Sequence, residues 1–305
     1  MKKVTVIMPN YNHAPFLRQR IESVLGQSFR DFEVIIMDDC SNDESLSIIE
    51  TYRNHPKVRD IVYNEQNSGS AFKQWVRGIG LARGEGVWIA ESDDWAELDF
   101  LEKMMQAIEK NSSCGLVFCK SYCTDEKGKL LWLVPDEKKV VVHQGESFLR
   151  KTLSLYNAIV NVSSCLFKRE LFDPRKVVLY EHMRLCGDWF FYSLLAEKAD
   201  ILEVKSPLNY CRRHGTNISE DAETRGLSFL EGIDVLDYIL EHHTVKRSFY
   251  SRFWGRQWAK YEMLWGFSSE TNSAIRKKFA ERKYKSIIRY YRIYHIRNVF
   301  RRCRK

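Results

Sequence analysis

No apolar run in this 305-residue chain approaches the roughly 20 residues that a bilayer-spanning helix needs. No C-x-x-C pair occurs among the eight cysteines. The closest two, Cys119 and Cys123, lie on a strand-like run and make a poor zinc signature. They read as reduced core thiols of a cytosolic protein. No G-x-x-x-x-G-K-[ST] is present, which removes P-loop chemistry. Gly78-x-Gly80-x-x-x-Gly84 misses the G-x-G-x-x-G spacing and falls inside a helical pattern, which removes a Rossmann dinucleotide site. Internal repeats, low-complexity linkers and recognised RNA- or DNA-binding motifs are missing too. Met1-Lys2-Lys3-Val4 leads at once into a strand-like run ending at Pro9, too short and wrongly flanked for a secretory signal.

Acidic residues are scarce at one end. Residues 246–305 hold 18 Lys and Arg against 3 Asp and Glu, whereas the first 245 hold 30 against 37. The net charge of +8 therefore hides a mildly acidic body and a strongly basic tail. Such a split favours an anionic surface near the C-terminus, either membrane lipid or nucleic acid. Lys285–Lys305 has no clean apolar face, so its charge rather than amphipathicity would carry peripheral membrane contact. A solvated helical tail is the plain alternative. At 44% hydrophobic residues, the chain can build a sizeable core.

Short apolar runs at 3–9, 32–37, 58–63 and 86–90 alternate with helical patterns at 14–26, 43–53 and 70–83. This is the mark of βαβ units and a mostly parallel sheet, hence an α/β fold. From residue 98 the pattern is mixed: a helix at 98–110, strands at 114–123 and 130–134, helices near 145–151 and 186–199, then strands at 201–204 and 207–213. Beyond 218 nearly everything reads helical. The polar stretch Arg213–Glu223 suggests a division into 1–217 and a helical, basic extension, 218–305.

Open α/β sheets bind ligands outside the carboxyl ends of their strands. Met8-Pro9-Asn10-Tyr11-Asn12 follows the first strand, as a turn or as a pocket wall where Tyr11 stacks on a base. Asp38-Asp39-Cys40-Ser41-Asn42-Asp43 follows the second. Its latter half suits a helix N-cap, but Asp38-Asp39 is better placed to accept hydrogen bonds from a base or ribose. Asn67-Ser68-Gly69-Ser70 opens a helix whose entrance could hold phosphate, with Lys73 adding charge. Glu91-Ser92-Asp93-Asp94-Trp95 follows the fourth strand. Three carboxylates so close repel one another unless a cation compensates them, which suits a divalent metal; a helix-capping acidic loop is the alternative. Asp188, in Cys186-Gly187-Asp188-Trp189-Phe190, is either a helix N-cap or a general base with a raised pKa. Arg212-Arg213-His214 ends the last strand, where guanidinium and imidazole suit a diphosphate–metal site.

Taken in order, these segments resemble the family 2 glycosyltransferases with the GT-A fold, and most of all the bacterial enzymes that build O-antigen and capsular polysaccharides. The resemblance covers about residues 3–220. It implies a Rossmann-like GT-A sheet, a nucleoside diphosphate sugar donor (UDP- or dTDP-linked), and a glycan or glycolipid acceptor. It also implies Mg²⁺ or Mn²⁺ and inversion at the anomeric carbon. Pro9, Tyr11 and Asp39 match positions around the base, and Asp93 matches the metal-binding carboxylate with Asp94 beside it. Asp188 matches the base, and His214 a position that helps hold the metal or diphosphate. Lys73 and Arg212 join the donor-binding set. Many such enzymes have Asp where this chain has Glu91, so the metal expectation rests on Asp93. Localisation would be cytoplasmic, at the inner membrane face if the tail binds lipid, with no nucleic-acid partner. The rival readings are a nucleotidyltransferase and a non-catalytic nucleotide-sugar binder.

Overall fold

A computed structural model describes residues 3–215, 225–246, 249, 253–255, 257–258, 260–261 and 267–281. The basic stretch 285–305 lies outside the described residues, as do Thr216 and Asn217. Among the described residues, the strands are β1 (Val4–Asn10), β2 (Phe32–Asp38), β3 (Val58–Tyr63), β4 (Gly86–Ile89), β5 (Trp95–Ala96), β6 (Cys114–Thr124), β7 (Val140–His143), β8 (Cys165–Lys168) and β9 (Asp200–Arg212). The principal helices are α1 (Ala14–Leu25), α2 (Ser45–Glu50), α3 (Ala71–Leu81), α4 (Phe100–Glu109), α5 (Gly145–Phe148), α6 (Gly187–Ala196), α7 (Leu227–His242) and α8 (Ser269–Ala280).

The chain forms two compact units. The first comprises 1–146, 159–183 and 194–215; the second comprises 147–158, 184–193 and 216–305. This partition differs from a single cut at 217/218, because two internal segments group with the C-terminal residues. The first unit holds the sheet, in the order β3-β2-β1-β4-β8-β6-β9-β5, with β7 also on β9. Strands β3, β2, β1 and β4 run parallel, as do β6 and β9; the short β8 sits antiparallel between the two sets. Every residue of β1 and β2 is buried, as expected for strands covered on both faces. Helix α3 packs so closely on β1 that a Cβ on Gly78 would lie 2.4 Å from an Ile7 methyl, so this helical glycine serves packing.

Three strand expectations change. Strand β1 does not stop at Pro9. The Ile7 carbonyl accepts from Ala90, so alternate residues face β4, and pairing with β4 ends at Ile89. Pro9 lacks an N–H where no ladder partner remains. Residues 201–213, read as two strands, instead belong to one long β9. Register shifts around Lys120 and Pro207 absorb the break. By contrast, 130–134 forms no strand beyond one bridge from Leu130 to Thr124. Helices α7 and α8 bear out the helical C-terminal region, and no described helix is long and apolar enough to cross a membrane. The seven described cysteines are all free thiols.

Candidate active site

Strand β5 pairs antiparallel with β9, Trp95 opposite Tyr210, so the residues before Trp95 face those after Tyr210. Sequence neighbours of the two ends therefore meet: His214 Nε2 lies 3.1 Å from Asp93 Oδ2. The loop after β1 brings a third group. His13 Nδ1 is 2.7 Å from Ser92 Oγ, and its ring stands edge-on to His214 with centroids 5.5 Å apart. His13, Asp93 and His214 offer ligand atoms that all lie within 4.8 Å of one another.

The electrostatics suit a cation. Burial pushes the His13 pKa below its ordinary value despite the Asp93 charge, leaving the imidazole neutral at pH 7. Burial also opposes ionisation of Asp93. The His214 hydrogen bond and the nearby imidazoles outweigh it, so Asp93 falls below the usual carboxylate range. Two imidazoles and one carboxylate form a ligand set that fits Mn²⁺ better than Mg²⁺, which favours oxygen alone. With its Nδ1 directed at Ser92, His13 would ligate through Nε2, an outer-shell arrangement common for metal-binding His.

Asp94, expected in the metal set, is drawn elsewhere. Its oxygens accept from Asn161 Nδ2 at 2.6 Å and from the Arg212 backbone N–H at 3.1 Å. Burial, with the Asp93 charge, raises its pKa to about 7. Glu91 accepts from Trp75 Nε1 at 2.7 Å, yet burial and Asp93 raise it to about 8. Beneath this cluster lies Arg20 on α1, fully buried and 4.9 Å over the Trp88 ring. Among the described residues its three guanidinium nitrogens have no hydrogen-bond partner. Burial lowers its pKa to about 10, opposed by the charges of Asp94, Asp93 and Glu91. Arg20 is thus the internal counter-charge of the acidic loop.

Arg212 also differs from a donor-binding arginine. Its Nε donates to the Asp93 carbonyl, Nη1 to the Glu126 carbonyl and Nη2 to Gln19 Oε1, at 2.6–2.9 Å. The guanidinium is sandwiched by Phe16 and Trp95 at 4.6 and 4.5 Å. It braces the acidic loop from inside the protein. Arg212→Met is expected to cost about 2 kcal/mol by removing three charge-assisted hydrogen bonds to part-buried acceptors; urea unfolding that matches wild type would sink this role.

The donor-side residues line the carboxyl ends of β1 and β2. Pro9 is buried in β1, whereas Tyr11 is exposed. Asp39 organises the loop before α3. Its Oδ1 accepts from Asn64, the Ser68 N–H and Gln74, and its Oδ2 from Ser68 Oγ, at 2.5–2.9 Å. Gly69, at φ +72°, supplies the left-handed turn in that loop. Lys73 is exposed, with Nζ 3.4 Å from the Ser68 carbonyl. Asp38 holds the neighbouring turn by accepting from Asn10 Nδ2 and from both the N–H and hydroxyl of Ser41.

Asp188 belongs to the second unit, in the first turn of α6. Burial pushes its carboxyl up to about 7, partly offset by the Trp189 N–H at 2.6 Å and Asn157 Nδ2 at 2.9 Å. The preceding turn is clamped by Glu231 of α7, which accepts the backbone N–H groups of Arg184, Leu185 and Cys186, each at 2.8 Å. Neither His13 nor Glu231 stood out in the sequence. His13 directly follows the Asn10-Tyr11-Asn12 turn, and that adjacency was its one visible signal.

The mixed, mostly parallel sheet with its helices has the GT-A fold of the solved structures it matches. The glycosyl transferase family 2 model matches residues 5–173, and the chain belongs to this family. It is similar to the poly(ribitol-phosphate) beta-N-acetylglucosaminyltransferase TarP of Staphylococcus aureus, 32% identical over 216 residues, covering 69% of this chain and 62% of TarP. The chain therefore spans less than two thirds of that relative, as it does of three other curated relatives (60%, 18% and 62%). Among solved structures, S. aureus TarS 1-349 in complex with UDP-GlcNAc shares the fold, with a TM-score of 0.71 at 20% identity, over 92% of this chain and 80% of that one. The mannosyltransferase PcManGT of Pyrobaculum calidifontis, in complex with GDP-Man and Mn²⁺, has a TM-score of 0.57 at 16% identity, over 98% and 80%.

Proposed function

We propose that the protein transfers a sugar from a UDP- or dTDP-linked donor to an acceptor hydroxyl, with inversion. The carrying observation is the His13–Asp93–His214 group beside the Asp39 loop, in a chain of glycosyl transferase family 2. The name of TarP and the UDP-GlcNAc of the TarS complex support a uridine-linked donor and a polymeric acceptor; a lipid-linked glycan acceptor is part of the proposal.

In this reading Pro9, Tyr11 and Asp39 surround the base, and Lys73 adds charge beside the phosphates. His13, Asp93 and His214 would hold Mn²⁺, which when bound supplies charge to stabilise the leaving diphosphate. Arg212 and Arg20 keep the acidic loop in place, one by hydrogen bonds and the other by charge. Asp188 accepts the proton of the acceptor hydroxyl as that oxygen attacks the anomeric carbon opposite the departing diphosphate. A carboxyl with its pKa near 7 is well matched to that task at neutral pH.

The decisive experiment is a nucleotide-sugar screen by thermal stabilisation with and without Mn²⁺, followed by mass analysis with lipid-linked acceptors. Metal-dependent stabilisation by one donor and a glycosylated product are expected. A nucleotidylated product would instead establish a nucleotidyltransferase. Donor binding without any product would establish a non-catalytic binder.

A further inference from the structure

The segment between β6 and β7 is apolar yet exposed. Leu130, Leu131, Trp132 and Leu133 follow one another and are all exposed, Trp132 by 55% and Leu133 by 86%. Val140 and Val142 on β7 are exposed as well. Consecutive exposed apolar side chains are costly to leave in water and ordinarily mark an interaction surface. The backbone beneath them is tied down. Leu131 N–H donates to Cys123 at 2.9 Å, Glu137 N–H to Lys205 at 3.3 Å, and Lys205 N–H to Lys139 at 2.8 Å. Lys120 Nζ reaches the Pro135 carbonyl at 3.2 Å. The side chains are therefore presented from a braced frame.

Charge identifies the partner. Lys127, Lys129, Lys138 and Lys139 flank the apolar stretch, and all four are exposed. The carboxylates nearby are mostly committed. Glu137 pairs with Lys120 and Lys205; Asp136 accepts from Ser206 Oγ and the Lys138 N–H; Asp125 accepts from the Lys127 and Lys129 N–H groups. Glu126 is exposed, and Asp125 and Asp136 keep their charge under neutral hydrogen bonds, so with Lys120, Lys205 and Glu137 included the surface carries six ammoniums against four carboxylates, a modest positive excess. A tryptophan amid leucines, ringed by lysines, matches the layered chemistry of a bilayer interface: acyl chains, headgroup region, anionic phosphates. A second copy of this chain fits less well. It would set Lys138 and Lys139 against like charges beside the short edge strand β7.

We infer that the surface formed by residues 127–142 docks on an anionic membrane, with Leu131, Trp132 and Leu133 entering the interface and the four lysines facing lipid phosphates. This surface adjoins the acidic loop. The Arg212 guanidinium that donates to the Asp93 carbonyl donates also to the Glu126 carbonyl. Docking would hold the site at the height where a lipid-borne acceptor is presented. The inference goes beyond the transfer reaction and is read without donor or acceptor.

The test uses the full chain, basic tail included, and phosphatidylcholine vesicles with and without phosphatidylglycerol. Wild type is expected to co-sediment with the anionic vesicles. The pair Leu131→Ser/Leu133→Ser should lower the partition coefficient by about ten-fold or more. Replacing the four lysines by Gln should remove the preference for phosphatidylglycerol, at about five-fold per lysine. Brominated lipid should quench emission in wild type more than in Trp132→Phe. Exposed substitutions should leave the melting temperature unchanged, and that control establishes folding. Wild-type partitioning by both variants, with any binding carried by the tail, would overturn the proposal. So would a wild-type dimer in sedimentation analysis that the leucine pair converts to monomer without lipid.

Discussion

Asp188→Asn is expected to lower glycosyl transfer by about 10²–10⁴-fold while leaving donor affinity near wild type. Asn keeps the size of the side chain and can still meet the Trp189 N–H through its carbonyl oxygen, but it cannot take a proton. Wild-type transfer should rise with pH up to about 7 and then level off, because only the ionised carboxylate accepts the acceptor proton. The stability effect runs the other way. The folded-state pKa of about 7 lies above the unfolded value of about 4. The contribution of Asp188 to stability is therefore fully present below pH about 4 and is lost as pH rises through about 7. At pH 8 the Asn variant should be the more stable protein, by up to about 4 kcal/mol. Steady-state kinetics, donor calorimetry and urea unfolding at two pH values separate these effects. A parallel loss of donor affinity and stability would mark Asp188 as a structural helix-start residue.

Asp93→Ala should abolish the rise in melting temperature produced by Mn²⁺ and reduce transfer by several orders of magnitude, since it removes the one anionic ligand of the group. His13→Ala and His214→Ala should each weaken the same response, and Asp94→Asn should weaken it less, because Asp94 oxygens serve Asn161 and Arg212. Binding needs neutral imidazole and ionised Asp93, so Mn²⁺ affinity should decline as the medium turns acidic. Calorimetric titration with Mn²⁺ alone reads this without donor or acceptor. Unchanged Mn²⁺ binding in Asp93→Ala would remove it from the ligand set, and an Asp94→Asn effect equal to that of Asp93→Ala would restore the adjacent pair expected from sequence.

Much of the first half of the fold was legible because strands buried on both faces are mostly apolar, as β1 and β2 are apart from Thr5, Glu33 and their last residues Asn10 and Asp38. The acidic loop, Asp39 and Asp188 were visible as carboxylates set directly against apolar runs. The stretch 130–134 misled for the same reason: its apolarity suggested a strand, whereas the structure exposes it. Arg212 misled by position. At a strand end it looked available to phosphate, but its donors turn inward to two carbonyls and Gln19.

What the sequence alone determined is the kind of sheet and the inventory of chemical groups, because burial periodicity and local residue order act over a few neighbours. Only the tertiary structure decided which of those groups meet. His13 and His214 stand 201 positions apart, and Asp93 reaches both because β5 pairs with β9 while the loop after β1 closes over Ser92. A metal group needs nitrogen and oxygen atoms within a few ångströms of one another, and strand pairing sets that distance independently of separation along the chain.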